Sequence, residues 1–259
     1  MADGVVILWT SHRCAGTAFE RSIRELESVK GLHEPNCLAF FCEDGKLRDD
    51  PDSVYEAKVK YIISQMQQCA SAGYKYLFIK DLAYYLGGRY NHYIQGEFAN
   101  FKHTFMIRDP VAVAHSIQGL VVQNGVTPYF TDTLGFQELC NMYEIVKDAN
   151  STRPVVISAE DVFNNPRDMM EGYCKSVGLP FSEKMLKWEP NVFDDWKQYP
   201  MYEVWHNKVM ASTGFVKHTE KQTKSSADLL PEFQSAVKNA LPYYEKLNSL
   251  RIIFPSYNH

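Results

Sequence analysis

The sequence lacks every feature that marks a membrane-spanning, disulfide-built or fibrous protein. No apolar run in its 259 residues approaches the ~18–20 positions that a membrane helix needs. Six cysteines (Cys14, Cys37, Cys42, Cys69, Cys140 and Cys174) are scattered without a single C-x-x-C pair. Structural zinc is thereby denied its usual paired ligands, and free thiols are expected rather than a disulfide frame. Met1-Ala2-Asp3-Gly4 is acidic and leads only into the short run Val5–Trp9, so the basic flank and long apolar core of a secretion signal are missing. A large excess of one sign of charge is missing too. The net charge of −4 argues against a general nucleic-acid or anionic-membrane binder but permits a local basic pocket for a small anion. Internal repeats, low-complexity tracts and Pro/Ser-rich linkers are absent. These absences predict a soluble, cytoplasmic protein with no nucleic-acid and no membrane partner; a homodimer is left open.

What is present is an ordinary globular composition, 45% apolar and 22% charged, in a chain long enough to bury roughly 70–75% of its unfolded surface. Short buried-type strands alternate with longer helical patterns. Val5–Trp9, Tyr76–Ile79, Thr104–Ile107 and Pro154–Ile157 read as strands, with Leu38–Phe41 as a weak strand or loop. Helices are expected over Thr17–Glu27, Val54–Ala72, Leu134–Asn150 and Asn165–Val177. Another opens at Pro110, with Asp109 placed to cap it. This order predicts an α/β fold of three layers, a mostly parallel sheet of about five strands flanked by helices. Beyond Leu179 the pattern loosens, and Ser225–Leu247 reads as one closing helix. A single domain over 1–259 is expected, with 179–259 forming a helical, loop-rich part.

Ligands of open α/β sheets collect at the carboxyl ends of the strands, and two such ends stand out. The first strand runs into Ser11-His12-Arg13-Cys14-Ala15-Gly16-Thr17-Ala18 and then a helix. Small residues let backbone N–H groups approach an anion, a helix N-terminus favours it, Arg13 adds a full charge and Thr17 a hydroxyl. A Walker A loop is excluded, because Thr17 rather than Lys follows Gly16. The second end is Ile107-Arg108-Asp109-Pro110, with Ser116 eight residues after Arg108. Arg108 can present its planar fork to a phosphate or carboxylate there. Taken singly, an ordinary turn and an arginine paired with a neighbouring carboxylate explain these places equally well.

Taken together they resemble the sulfotransferases that use 3′-phosphoadenosine 5′-phosphosulfate (PAPS), a branch of the P-loop fold. The resemblance implies that Arg13, Cys14, Ala15, Gly16, Thr17 and Ala18 form the loop around the 5′-phosphosulfate, with Cys14 a small residue where relatives carry Ser. It implies that Arg108 and Ser116 grip the 3′-phosphate. Ser158-Ala159-Glu160-Asp161 is similar to the family's Tyr-Glu-Asp segment, with Ala159 in place of Tyr. Ser212, Thr213 and Gly214, in the stretch that runs on to Lys217, resemble the late loop that covers the nucleotide, and residues 179–259 then cover the site. His33-Glu34-Pro35 and Ile79-Lys80-Asp81 are similar to segments of a less characterised sulfotransferase-like branch. The cofactor so implied is PAPS, the partner a small-molecule acceptor with a hydroxyl or amine, and no metal is required.

The resemblance implies in-line transfer, which asks for positioning and charge stabilisation more than for covalent help. Lys80 would stabilise charge on the bridging oxygen and sulfuryl group. Asp81 is the favoured general base, with His33, Glu34 and His12 as further candidates. The catalytic His that many relatives carry just beyond the third-strand Lys has no match, since Asp81 and Leu82 follow Lys80. Two other classes therefore stay open, a P-loop small-molecule kinase and a catalytically silent nucleotide-binding or interaction protein. The kinase reading lacks its Lys after Gly16 and a clear magnesium-binding Asp. Tyr84, Tyr85, Tyr90, Tyr93, Trp188, Trp196 and Trp205 are expected mainly to fill the interior.

Overall fold

Valine, isoleucine and leucine after Gly4 form strand β1 (Gly4–Thr10), which lies at the centre of a five-stranded sheet. The other strands are β2 (Val29–His33), β3 (Tyr76–Leu82), β4 (Lys102–Ile107) and β5 (Val155–Ser158), in the order β2-β3-β1-β4-β5. Every pairing is parallel, with Leu8 level with Lys80 and Thr104, and His33 level with Lys80. The computed structural model describes residues 2–40, 52–125, 132–150, 152–197, 202–216 and 225–254. The expected α/β architecture is therefore the one observed, and its strands are buried on both faces as parallel strands must be.

Alternation along each strand builds two apolar layers. Val5, Ile7, Trp9, Leu77, Ile79, Phe105 and Val156 face one side, under helices α3 (Asp52–Gln68), α4 (Pro110–Asn124), α5 (Phe136–Ala149) and α9 (Pro231–Ser249). Val6, Leu8, Phe78, Met106 and Ile157 face the other, under α1 (Gly16–Ile23) and α7 (Pro166–Val177). Two short helices, α2 (Cys37–Phe40) and α6 (Ala159–Asn164), follow β2 and β5, and α8 (Tyr202–Met210) lies in the C-terminal part. No helix among the described residues is long and apolar enough to cross a membrane.

Several local expectations are corrected. Val29–His33 is a strand although Lys30 and Gly31 interrupt its apolar pattern; register against β3 decides it. Leu38–Phe40 is helical rather than extended, because the Asp81 carboxylate holds the Asn36 N–H at 3.1 Å and turns the chain into α2; Phe41 lies outside the described residues. The first helix ends at Ile23, short of Glu27. The closing helix begins only at Pro231, which fits a first turn but leaves Leu230 extended. A separate 3₁₀ turn at Ser226–Asp228 precedes it, capped by Ser225.

Candidate active site

Four non-glycine residues among those described hold positive φ: Arg13 (57°), Ala15 (64°), Glu34 (40°) and Leu134 (54°). All four meet at the carboxyl end of the sheet, where Leu134 accepts the Ser11 hydroxyl. Such backbone costs about 1–3 kcal/mol per residue and is kept where the surroundings over-determine it. Arg13 and Ala15, two positions apart, bend the loop after β1 in the manner that gathers successive N–H groups on one side. No side chain caps the start of α1, so the amides of Gly16, Thr17 and Ala18 keep their donor capacity at a helix N-terminus. Gly16 leaves room that a side chain would take: a Cβ there would stand 2.7 Å from Thr10 Cγ2 and 2.9 Å from Lys80 Cε, so one of them would have to shift.

The arginines meet beside this loop. Arg108 donates to the Arg13 carbonyl at 3.1 Å, while Arg13 Nε donates to Ser116 Oγ at 3.0 Å and its Nη1 to the Trp205 carbonyl at 2.6 Å. Arg13 thus turns toward α4 and α8 rather than toward Lys80. Burial, then the neighbouring Arg108 charge, push Arg13 down to about 10, the mark of a positive site that gains from an anion. Ser116 is joined to Arg108 through Arg13. Next to Arg108 a recess of about 140 Å³ is lined by Ala159, Glu160, Phe163 and Asn164. Glu160 accepts from the Asp109 N–H at 3.1 Å, and its other oxygen is buried without a partner.

On the other side of the loop, strand alternation aims Lys80 at α1 and Asp81 at the opposite face. Lys80 is buried and ion-paired with Glu34. Burial opposes the charge on Glu34, yet Lys80, His33 and His206 together bring it down to about 2. His33 is held between Glu20 (Nδ1 to Oε2, 2.5 Å) and His206 (Nε2 to Nε2, 3.1 Å). Asp81 does not adjoin this group. Its carboxylate accepts from Asn36 N, Asn36 Nδ2 (2.8 Å) and Leu82 N (2.8 Å), and Tyr93 donates to Asn36 in turn. Burial, reinforced by Glu34, raises Asp81 to about 7. Burial pushes the Cys14 thiol up to about 12, so it is a neutral small side chain and no thiolate nucleophile.

A sulfotransferase-domain family model matches residues 5–251. The chain belongs to the sulfotransferase family. Two Arabidopsis thaliana proteins, branched-chain-amino-acid aminotransferase-like proteins 1 and 2, are 26% and 25% identical over 96% and 82% of this chain. The chain spans only 42% and 36% of those relatives' lengths. A solved sulfotransferase from Alicyclobacillus acidocaldarius shares the fold, with a TM-score of 0.53 at 13% identity over 98% of this chain and 97% of its own.

Within this family setting the late segment is tied to the β5–α8 region. Ser212 accepts from Trp188 Nε1 at 3.0 Å, Thr213 O from the Trp188 N–H at 3.2 Å, and Gly214 bridges Lys187. Phe215 meets both Trp188 and Phe163 edge-on, which places this segment beside the Arg108 recess; Lys217 lies outside the described residues. Tyr84, Tyr85, Tyr90, Tyr93, Trp188 and Trp196 are buried as interior residues. The half-buried His12 ring sits edge-on to Tyr84 and Tyr85. Its Nδ1 has no hydrogen-bond partner, and burial, with Lys80 and Arg13 outweighing Glu34, lowers it to about 4. Sequence reasoning missed His206, Glu20 and the Trp205 carbonyl; their only signal is spatial, because His206 lies 173 positions from His33.

Proposed function

We propose that the protein is a PAPS-dependent sulfotransferase acting on a hydroxyl or amine of a small-molecule acceptor. The observation that carries this reading is the pair of anion-ready places on one loop: uncapped α1 amides beside Lys80, and Arg13 with Arg108 and Ser116. A nucleotide bearing one phosphate group at each end of its ribose matches that pairing; a kinase substrate needs only the first. The Cys14–Ala18 amides would cradle the 5′-phosphosulfate. Arg108, Ser116 and Arg13 would hold the 3′-phosphate, the last by a different grip from the one its sequence position suggests. The Phe163–Phe215 pair and the Ser212–Gly214 segment would flank the nucleotide.

In the transfer step the acceptor oxygen or nitrogen bonds to sulfur while the bond from sulfur to the 5′-phosphate oxygen breaks. The acceptor proton goes to a base, and 3′-phosphoadenosine 5′-phosphate leaves. Lys80 would neutralise charge on the departing oxygen. Glu34, in contact with Lys80, has the position for the base role, although Lys80 makes it a weak base. Asp81 has the more suitable proton affinity but points to the opposite face and is committed to three donors. His33 would orient Glu34, and the Phe40, Tyr84, Tyr85 and His12 wall would receive the acceptor. We read the described chain as one sulfotransferase-like unit with its C-terminal part over the site, supported by the Arg13–Trp205 and Arg24–Asp195 contacts. The free thiols Cys14, Cys37, Cys69, Cys140 and Cys174 support a reducing, cytoplasmic setting.

Calorimetry with 3′-phosphoadenosine 5′-phosphate, ATP and adenosine 5′-phosphosulfate tests the reading. Selective binding of the first, weakened at least tenfold by Arg108→Ala, is expected. Equal or absent binding of all three refutes it and favours the kinase or silent-scaffold alternatives.

A further inference from the structure

The histidine pair behind Lys80 has an unusual proton inventory. His33 Nδ1 lies 2.5 Å from Glu20 Oε2, and His206 Nδ1 lies 3.0 Å from the Tyr202 carbonyl. A carbonyl only accepts; Glu20, ion-paired with Arg24, is a carboxylate that only accepts. Each Nδ1 therefore carries the ring hydrogen, and each neutral ring presents an Nε2 lone pair. Those two lone pairs face each other at 3.1 Å, and Glu34 Oε1 stands 3.5 Å from His33 Nε2. Lone pairs so placed repel unless a cation lies between them.

That cation is a proton or a metal ion. Two of the three ligand edges already suit a metal, and the third, from His206 to Glu34, is longer and would shorten on binding. Bonds of ~2.0–2.1 Å in a tetrahedral site set ligand edges of ~3.3 Å, between the 3.1 and 3.5 Å observed. One ligand atom from each of the three residues lies within 4.8 Å of the other two. The Nδ1–H bonds to Glu20 and Tyr202 supply the outer anchoring that fixes ring tautomer and orientation in metal sites. Trp196 stacks on His206 (5.5 Å, 23°) and tilts against His33 (5.6 Å), giving the group a rigid apolar wall.

We propose that His33, His206 and Glu34 form a binding site for one divalent transition-metal ion, zinc by its taste for tetrahedral nitrogen and oxygen ligands. Lys80 shares Glu34 with the ion, so metal loading and the Lys80–Glu34 ion pair compete. The site departs from the sequence expectation of no metal, since no local spacing announces it. It shares Lys80, Glu34 and His33 with the proposed transfer site, but metal binding is read without PAPS or acceptor, so either reading can fail while the other stands.

Cobalt titration of the metal-free full chain tests it, followed by displacement with zinc. One equivalent with the strong visible absorption of four-coordinate cobalt is expected. His206→Ala should weaken binding more than about 100-fold and Glu20→Gln by about 10–100-fold, whereas Lys80→Met should strengthen it by removing the competing charge. His206→Gln, nearer in size, repeats the arm if the alanine variant melts without cooperativity. Substoichiometric uptake, or binding indifferent to His206, overturns the site. Nitrogen NMR of the wild-type chain needs no variant: Nε2 signals of both rings must move with zinc. Unmoved signals with one ring protonated at neutral pH overturn the site in favour of a shared proton.

Discussion

At the scale of single residues, the left-handed loop positions make opposite predictions for neighbouring glycine changes. Ala15 pays a left-handed penalty that glycine does not, so Ala15→Gly is expected to raise stability by about 0.5–1 kcal/mol in denaturant unfolding. Gly16→Ala forces a methyl group against Thr10 and the Lys80 stem. It should cost about 1–3 kcal/mol and weaken 3′-phosphoadenosine 5′-phosphate binding, checked by melting and calorimetry. Asp81 makes a pH prediction. Burial, with Glu34, raises it from 3.8 to about 7, so its contribution to stability is complete below ~pH 4 and is lost as pH rises through about 7. The stability difference between wild type and Asp81→Asn should therefore fall from pH 4 to pH 8; a flat difference would refute the burial argument.

Single elements are placed by their ends. The Asp109 carboxylate accepts from the Ala112 N–H at 2.9 Å at the start of α4, with Pro110 in the first turn. Asp109→Ala should cost about 1 kcal/mol, a fall in Tm of about 2–4 °C. That end matters to the site, because Arg108 and Ser116 flank it. This helix start was legible from Asp109-Pro110 alone, since capping chemistry is local. Strand β2 was not, because Lys30 and Gly31 gain their place only from pairing with Leu77 and Phe78.

Across the whole molecule, Arg24 joins the sheet layer to the C-terminal part. Its guanidinium pairs with Glu20 in α1 and with Asp195, whose carboxylate also accepts the His33 N–H at 3.1 Å. It lies over the Phe193 ring at 4.4 Å, and Gly31 leaves room for it. Arg24→Ala would strand the buried Glu20 carboxylate and should cost about 3–5 kcal/mol. Hydrogen exchange should quicken over 189–196, far from the substitution in sequence; unchanged protection there would refute the link.

By itself the sequence determined the parallel α/β fold, the loop after β1 and the Arg108 strand end, because periodicity, caps and strand-to-helix turns are short-range properties. It also put Lys80, His33 and Glu34 on the list of candidates. Only the tertiary structure decided that Arg13 reaches Ser116, that Asp81 is spent on Asn36 and Leu82, and that His206 joins His33 and Glu34. Each of those contacts links elements many residues apart, and the side chain's partner follows from strand order, register and burial, none of which a local pattern carries.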